Sequence, residues 1–335
     1  MTSSRAGSRA RVIIVAYASG AYLQPCLDAL AAQTFRDFEA VIADNGAPQG
    51  STDRSVADLR IPDDRFTLRD MGGNLGFAVA NNRAAADATA EFLVLLNPDA
   101  VAEPAWLERM IAAADANPHA ASVGALQLRL EEPHVMDGVG DVWHVAGLAW
   151  RAGEGKPAST APCDGEIFGP CGAAALYRTA DFRAAGGFYE PFFCYCEDVD
   201  LAFRLRLMGR TSVRASDAVV RHAGSGITGR SSDFTLFHGH RNRIWTYWRN
   251  TPGVWLWVFL PYHLAFNALY MALAVRRGFP RPIWRAYRAA FAGLPAILAE
   301  RRRTPGGVGL RRLLPAMAWT PWSPWNRELR PRPPR

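Results

Sequence analysis

Lysine is almost missing from this chain: Lys156 stands alone against 37 arginines. A general preference for arginine can follow genome composition, but the way the arginines cluster does not. The five cysteines, Cys26, Cys163, Cys171, Cys194 and Cys196, contain no C-x-x-C pair and are odd in number. That excludes a structural zinc site and a secreted disulfide framework, and points to reduced thiols in a cytosolic setting. Residues 1–11 are short, polar and basic, and the apolar run Val12 to Ala16 is too brief for a signal-peptide core, so no secretion is expected. No glycine-rich loop with a basic residue follows the first apolar run, which weighs against a nucleotidyltransferase. No recognised nucleic-acid module is present either, so no nucleic-acid partner is expected.

What remains is enough for a large core: 335 residues, 49% of them apolar and 11% aromatic. The net charge of +7 hides a division. Residues 241–335 hold seventeen arginines against Glu300 and Glu328, so that stretch carries +15 and the rest −8. An acidic body with a basic tail points to an anionic partner for the tail.

The order of elements reads as strand, helix, strand. Arg11 to Tyr17 is a β-branched run ended by Ser19-Gly20, and Tyr22 to Thr34 has helical spacing at Leu23, Leu27, Leu30 and Ala31. Phe38 to Ala43 stops at Asp44-Asn45-Gly46, and Glu91 to Leu96 stops at Asn97-Pro98-Asp99. Near-continuous apolar runs alternating with helices predict parallel strands covered on both faces, an α/β layered domain. Ligands of open α/β sheets bind at the C-terminal strand edge, which brings Asp44 and Asp99 toward one crevice.

Four segments carry candidate chemistry, each with a plain alternative. Gly72 to Asn82 presents helix-start amides suited to a phosphate or ribose, lacks the G-x-G-x-x-G spacing, and equally fits a turn and helix cap. Asp99 suits a hard divalent cation, or caps the next helix. Glu197, Asp198 and Asp200 follow the aromatic run Tyr189 to Cys196. A carboxylate in apolar surroundings can be tuned as a general base, though acids also favour a first helical turn. His222, beside Gly224 to Gly229, is either a metal ligand or a structural histidine.

These pieces together resemble the inverting, GT-A-fold glycosyltransferases of family 2, and within it the rhamnosyltransferase-like enzymes of bacterial cell-wall and surface-polysaccharide assembly. The matching segments are Val12 to Tyr17, Val41 to Gly46, Asn74 to Asn82, Leu95 to Asp99, Gly169 to Ala175, Gly186 to Phe188 with Glu197 to Leu201, and His222 to Gly226. They occur in the family's order over roughly residues 11–250.

The resemblance implies a central, mostly parallel sheet flanked by helices. Asp44 would accept a hydrogen bond from the donor's pyrimidine, with Tyr17, Asn74, Gly76, Asn97 and Asp99 also on the donor. Asp99 and His222 would hold Mg²⁺ or Mn²⁺ against the donor diphosphate. Asp198 would be the base, with Gly172, Glu197 and Asp200 toward the acceptor or the helix-start amides. The family's first DxD acid is Asn97 here, which removes one negative charge and bears on metal dependence. The implied donor is a sugar nucleotide, dTDP-rhamnose ahead of UDP-sugars. The implied acceptor is a glycan, on its own or linked to polyprenyl diphosphate. A catalytically impaired binding homologue is the alternative from another class.

The expected division is a flexible stretch over 1–10, a catalytic domain over 11–235, an aromatic and arginine-rich helical region over 236–300, and a loose basic tail over 301–335. Val254 to Val275 is 22 residues without a charge, but Pro261, His263 and Asn267 are costly at the centre of a span. Eight of eleven tryptophans lie after residue 240. An in-plane or re-entrant segment fits best, on the inner face of the cell membrane and facing anionic lipid.

Overall fold

The computed structural model describes residues 7–47, 56, 59–224, 232–301, 313–324 and 326–327. The N-terminal half is a series of parallel strands. The strands β1 (Ala10–Ala16), β2 (Phe38–Asp44), β3 (Phe66–Asp70) and β4 (Phe92–Leu96) pair in the order β4-β1-β2-β3, all parallel. Side chains alternate across such a sheet, so it needs a helical layer on each face. Val12 and Ile14 of β1 pack with Leu23, Leu27 and Leu30 of α1 (Gly20–Ala31) and with Trp106, Met110 and Ile111 of α3 (Trp106–Ala116). Ile13 and Val15 face the other way, onto α2 (Gly76–Ala85), α4 (Thr179–Ala184) and α5 (Glu197–Leu207).

The sheet continues through β11 (Ala174–Arg178), antiparallel between β4 and β6 (Ala120–Arg129), and then β12 (Thr211–His222), which runs parallel to β6. β10 (Gly165–Ile167) closes that edge, while β5 (Ala100–Ala102) pairs with the end of β12. The stretch between β6 and β10 is built from short strands. β7 (Met136–Gly138) adds to β6, and β8 (Asp141–His144) with β9 (Leu148–Arg151) forms a separate hairpin.

Three helices follow, α6 (Asp233–Asn250), α7 (Trp255–Arg276) and α8 (Pro280–Arg301). They are part of the body. Tyr247, Leu256 and Phe259 share a core with Trp143, Phe168 and Phe203, and Ser232 caps α6 by accepting from the Thr235 amide at 3.2 Å. The tail departs from the expected loose extension. Leu313, Met317 and Ala318 are buried, and Ala318 exchanges backbone hydrogen bonds with Trp143 and Val145 at 2.8 and 3.0 Å. Apolar residues inside a basic, proline-rich stretch explain the docking. The expected Gly224 to Gly229 loop, beyond its first residue, and the arginines past Arg301 as far as residue 312 lie outside the described residues.

Helix α7 is continuous through Pro261 and turns its polar residues inward. His263 stacks on Tyr247 at 4.0 Å between ring centroids and donates from Nδ1 to the Ala146 carbonyl at 2.9 Å. Asn267 accepts from Arg243 at 2.7 Å. Trp257, Tyr262, Leu264 and Val275 are left more than half exposed. Two of the three residues that make a membrane span costly, His263 and Asn267, are the ones that dock the helix. Among the described residues, α7 is the one helix long and apolar enough to cross a membrane.

Candidate functional site

A cavity of about 600 Å³ opens where the C-terminal ends of β1, β2 and β4 meet the start of α5, the end of β12, the β8–β9 hairpin and α6. Tyr17, Asn74, Gly76, Asn97, Asp99, Gly172, Glu197, Asp198 and His222 all line it.

On the β2 side, Asp44 is half-buried and accepts from the Gly46 amide at 3.0 Å, just outside the cavity lining. Its neighbour Asn45 does line the cavity. Asn45 donates to Asn74 Oδ1 at 3.2 Å and accepts from the Leu75 amide at 2.9 Å, tying the β2 edge to the start of α2. Gly76 has φ +80°, and a Cβ there would come within 2.6 Å of the Phe193 carbonyl oxygen. Only glycine lets α2 start against the aromatic loop.

At the β4 edge, pairing of β5 with β12 sets His222 opposite Ala100, so the imidazole reaches Asp99. His222 Nε2 lies 3.2 Å from Asp99 Oδ1 and 3.3 Å from the Asn97 side-chain nitrogen, while Nδ1 lies 2.8 Å from Asp137 Oδ2. His222, Asp99 and Asp137 are buried, and Asn97 is partly exposed. Burial works against a charged imidazole, but the bonds to Asp137 and Asp99 outweigh it and raise the pKa above the ordinary histidine value. Asp137, from β7, is a residue that sequence reasoning passed over. Among the described residues no three His, Cys, Asp or Glu side chains converge as a metal-binding group. Asp99 and His222 therefore offer two donors, suited to a hard cation that completes its shell with substrate phosphates rather than one caged by protein.

The loop before α5 is strained. Phe193, Tyr195 and Cys196 all have φ between 66° and 70°, a region that costs non-glycine residues free energy and persists only under constraint. The constraint is Asn242 of α6. Its buried side-chain amide donates to the carbonyls of Phe192, Cys194 and Tyr195 at 2.9, 2.8 and 2.8 Å. The sequence offers no local signal for it, because its partners lie some fifty residues away.

That loop delivers three acids to the first turn of α5. Asp198 accepts from the Gly172 amide (2.8 Å) through one oxygen and from the Val199 amide (2.8 Å) through the other. Burial raises its pKa, with those amides opposing. Glu197 is buried with Oε2 unpartnered among the described residues, and burial followed by the Asp198 charge pushes its pKa well up. Asp200 corrects an expectation. It is fully buried and turned away from the cavity, bonded to Arg204, Arg249 and Asn250, so it has no acceptor to meet. Two residues along a helix are turned by about 200°, which sends Asp198 and Asp200 to opposite faces.

The hairpin supplies residues that no sequence pattern announces. Asp141 lines the cavity with Oδ2 buried and unpartnered among the described residues, and Arg151 stands directly opposite it across the hairpin.

Comparison with known proteins identifies the family and the fold. The model of "Glycosyl transferase family 2" matches residues 11–185. An N-acetylglucosaminyl-diphospho-decaprenol L-rhamnosyltransferase of Mycobacterium tuberculosis is 30% identical over 257 residues, covering 69% of this chain and 81% of that protein. Among solved structures, GalNAc-T7 with UDP, GalNAc and Mn²⁺ superposes with a TM-score of 0.57 at 13% identity, over 72% of this chain and 48% of that one. TarS of S. aureus does so with a TM-score of 0.50 at 17% identity, over 76% of this chain and 43% of that one. The chain thus spans less than half the length of either structural neighbour. The likeness of fold and the length of the sequence match lead to one conclusion: this chain belongs to glycosyl transferase family 2 and has the GT-A fold.

Proposed function

We propose that the protein is an inverting transferase that moves a sugar, rhamnose ahead of others, from a nucleoside-diphosphate donor to a hydroxyl of a lipid-linked glycan. The observation that carries this reading is Asp198, held by the Gly172 and Val199 amides at the wall of the cavity that also contains Asp99 and His222. An acceptor hydroxyl is a weak nucleophile at neutral pH, so a fixed carboxylate must take its proton as it attacks the anomeric carbon. Attack from the side opposite the leaving nucleotide inverts that carbon.

Asn45, Asn74 and the start of α2 hold the nucleoside, with Asp44 beside them and Tyr17 next to Asn45 at the end of β1. Asp99 and His222 would hold a divalent cation together with the donor's phosphates, and that cation would supply stabilisation of the charge that builds on the leaving diphosphate. Gly172 and Glu197 lie on the acceptor side. The mycobacterial relative is named for a decaprenol-linked substrate, which supports a lipid-linked acceptor and work at the inner face of the cell membrane. The exposed apolar faces of α7 and α8, including Trp257, Trp284 and Phe291, support the same reading.

The test is release of nucleoside diphosphate from dTDP-rhamnose and a panel of UDP- and GDP-sugars, with a synthetic N-acetylglucosaminyl-diphospho-lipid as acceptor. A preference for a purine donor would overturn the nucleotide assignment. Substantial turnover by Asp198→Asn would overturn the base.

A further inference from the structure

The cavity is rich in acid for a site that is to receive a diphosphate. Asp99, Asp141, Glu197 and Asp198 line it, and Asp137 lies behind Asp99 through His222. An entering diphosphate meets repulsion from those of these groups that are ionised unless fixed positive charge stands among them. Three arginines line the same cavity. Arg243 donates to the Gly147 carbonyl and to Asn267, and Arg327 pairs with Glu154. Arg151 is placed differently.

Arg151 ends β9, and its backbone pairs in register with Asp141. Its Nη1 donates to Asp137, the carboxylate that holds His222. About a third of its side chain, 30%, stays exposed, against 1% for Asp137. Gly138 leaves room for its stem, since a Cβ there would come 3.1 Å from Arg151 Cβ. Arg151 thus lines the cavity beside Asp141, tied through Asp137 to the Asp99–His222 corner, with part of its side chain exposed. A planar guanidinium offers paired donors that match phosphate oxygens.

We infer that Arg151 is the side chain that grips the donor's diphosphate, held for that task by Asp137. This rests on the sugar-nucleotide reading of the cavity. A lipid-linked acceptor also carries a diphosphate, but the bond to Asp137 ties Arg151 to the Asp99–His222 corner, which favours the donor's. Asp137 holds one edge of the guanidinium and leaves the rest for the ligand. Asn97, neutral where an acid is usual in the resemblance, lowers the negative charge next to the same corner.

The experiment is calorimetric titration of thymidine, thymidine diphosphate and farnesyl diphosphate into wild type, Arg151→Gln and Arg151→Lys, in the presence of Mg²⁺. The expected result is diphosphate binding roughly 10- to 100-fold weaker in Arg151→Gln, intermediate in Arg151→Lys, with thymidine binding unchanged. Unchanged thymidine diphosphate affinity in a glutamine variant that still binds thymidine would overturn the proposal. So would parallel loss of thymidine and thymidine diphosphate, the mark of a collapsed wall. Loss confined to farnesyl diphosphate would move Arg151 to the acceptor. A wild type that binds neither thymidine compound would overturn the nucleotide reading itself.

Discussion

Arg249 meets both oxygens of Asp200, at 2.9 and 2.7 Å, and so joins the last turn of α6 to the first turn of α5. Burial alone would raise the Asp200 pKa, but Arg204, Arg249 and Asn250 bring it below the ordinary aspartate value. A carboxylate with a depressed pKa contributes stability that is present above its unfolded pKa, near 3.9, and lost as pH falls through the folded value. Arg249→Ala should cost about 3–5 kcal/mol in urea unfolding, because it leaves a buried charge short of a partner. Asp200→Asn should lower stability while leaving the acceptor KM unchanged.

Asn242→Ala should relax the strained loop that presents Asp198. The three carbonyls it serves lose their donor, a cost of about 1–3 kcal/mol. Displacement of the base by even an ångström should lower kcat about 100-fold. Melting curves and steady-state kinetics on the same preparation check both effects.

Glu197→Gln should change how stability depends on pH. Wild-type Glu197 holds its proton in the folded state to a higher pH than in the unfolded chain, because burial and Asp198 raise its pKa. Its contribution is therefore full below the unfolded value near 4.3 and is lost as pH rises toward the folded one. Through that window the wild type should lose up to about 1.4 kcal/mol per pH unit relative to the glutamine variant. Paired melting curves between pH 4 and 8 give the slope.

Asp137→Asn should loosen His222. The carboxylate fixes the imidazole by accepting from Nδ1, which leaves Nε2 toward Asp99. Loss of such an outer partner typically weakens metal binding about 10- to 100-fold. Mn²⁺ titration in the presence of nucleoside diphosphate reads this directly, and chelation with EDTA should remove the wild-type signal.

Trp257→Glu combined with Trp284→Glu should reduce flotation with anionic liposomes, since both rings are more than half exposed on neighbouring helices. Raised salt should weaken the wild-type interaction as well, because the arginines near these rings act through screened charge.

Much of the fold is legible in the sequence, for a physical reason. β1, β2 and β4 are buried on both faces, so each appears as a near-continuous apolar run ending at a polar turn, interrupted by Arg11 in β1 and Glu39 in β2. The same turns deliver Tyr17, Asn97 and Asp99 to the cavity. The wall formed by residues 135–157 is not legible: its strands are three or four residues long and rich in polar and small side chains. Asp137, Asp141, Arg151 and Asn242 act across distances in sequence that no local pattern records. Asp200 misleads because nearness in sequence to Asp198 is not nearness on a helix.

Helix α7 reverses the usual relation between polarity and exposure. His263 and Asn267 are its hooks into the body, so replacing them with leucine would raise its hydropathy and yet loosen its seat. One of those hooks is fastened to Ala146, in the turn between the strands that carry Asp141 and Arg151. A change that made the helix a better membrane segment by composition would therefore free one wall of the cavity.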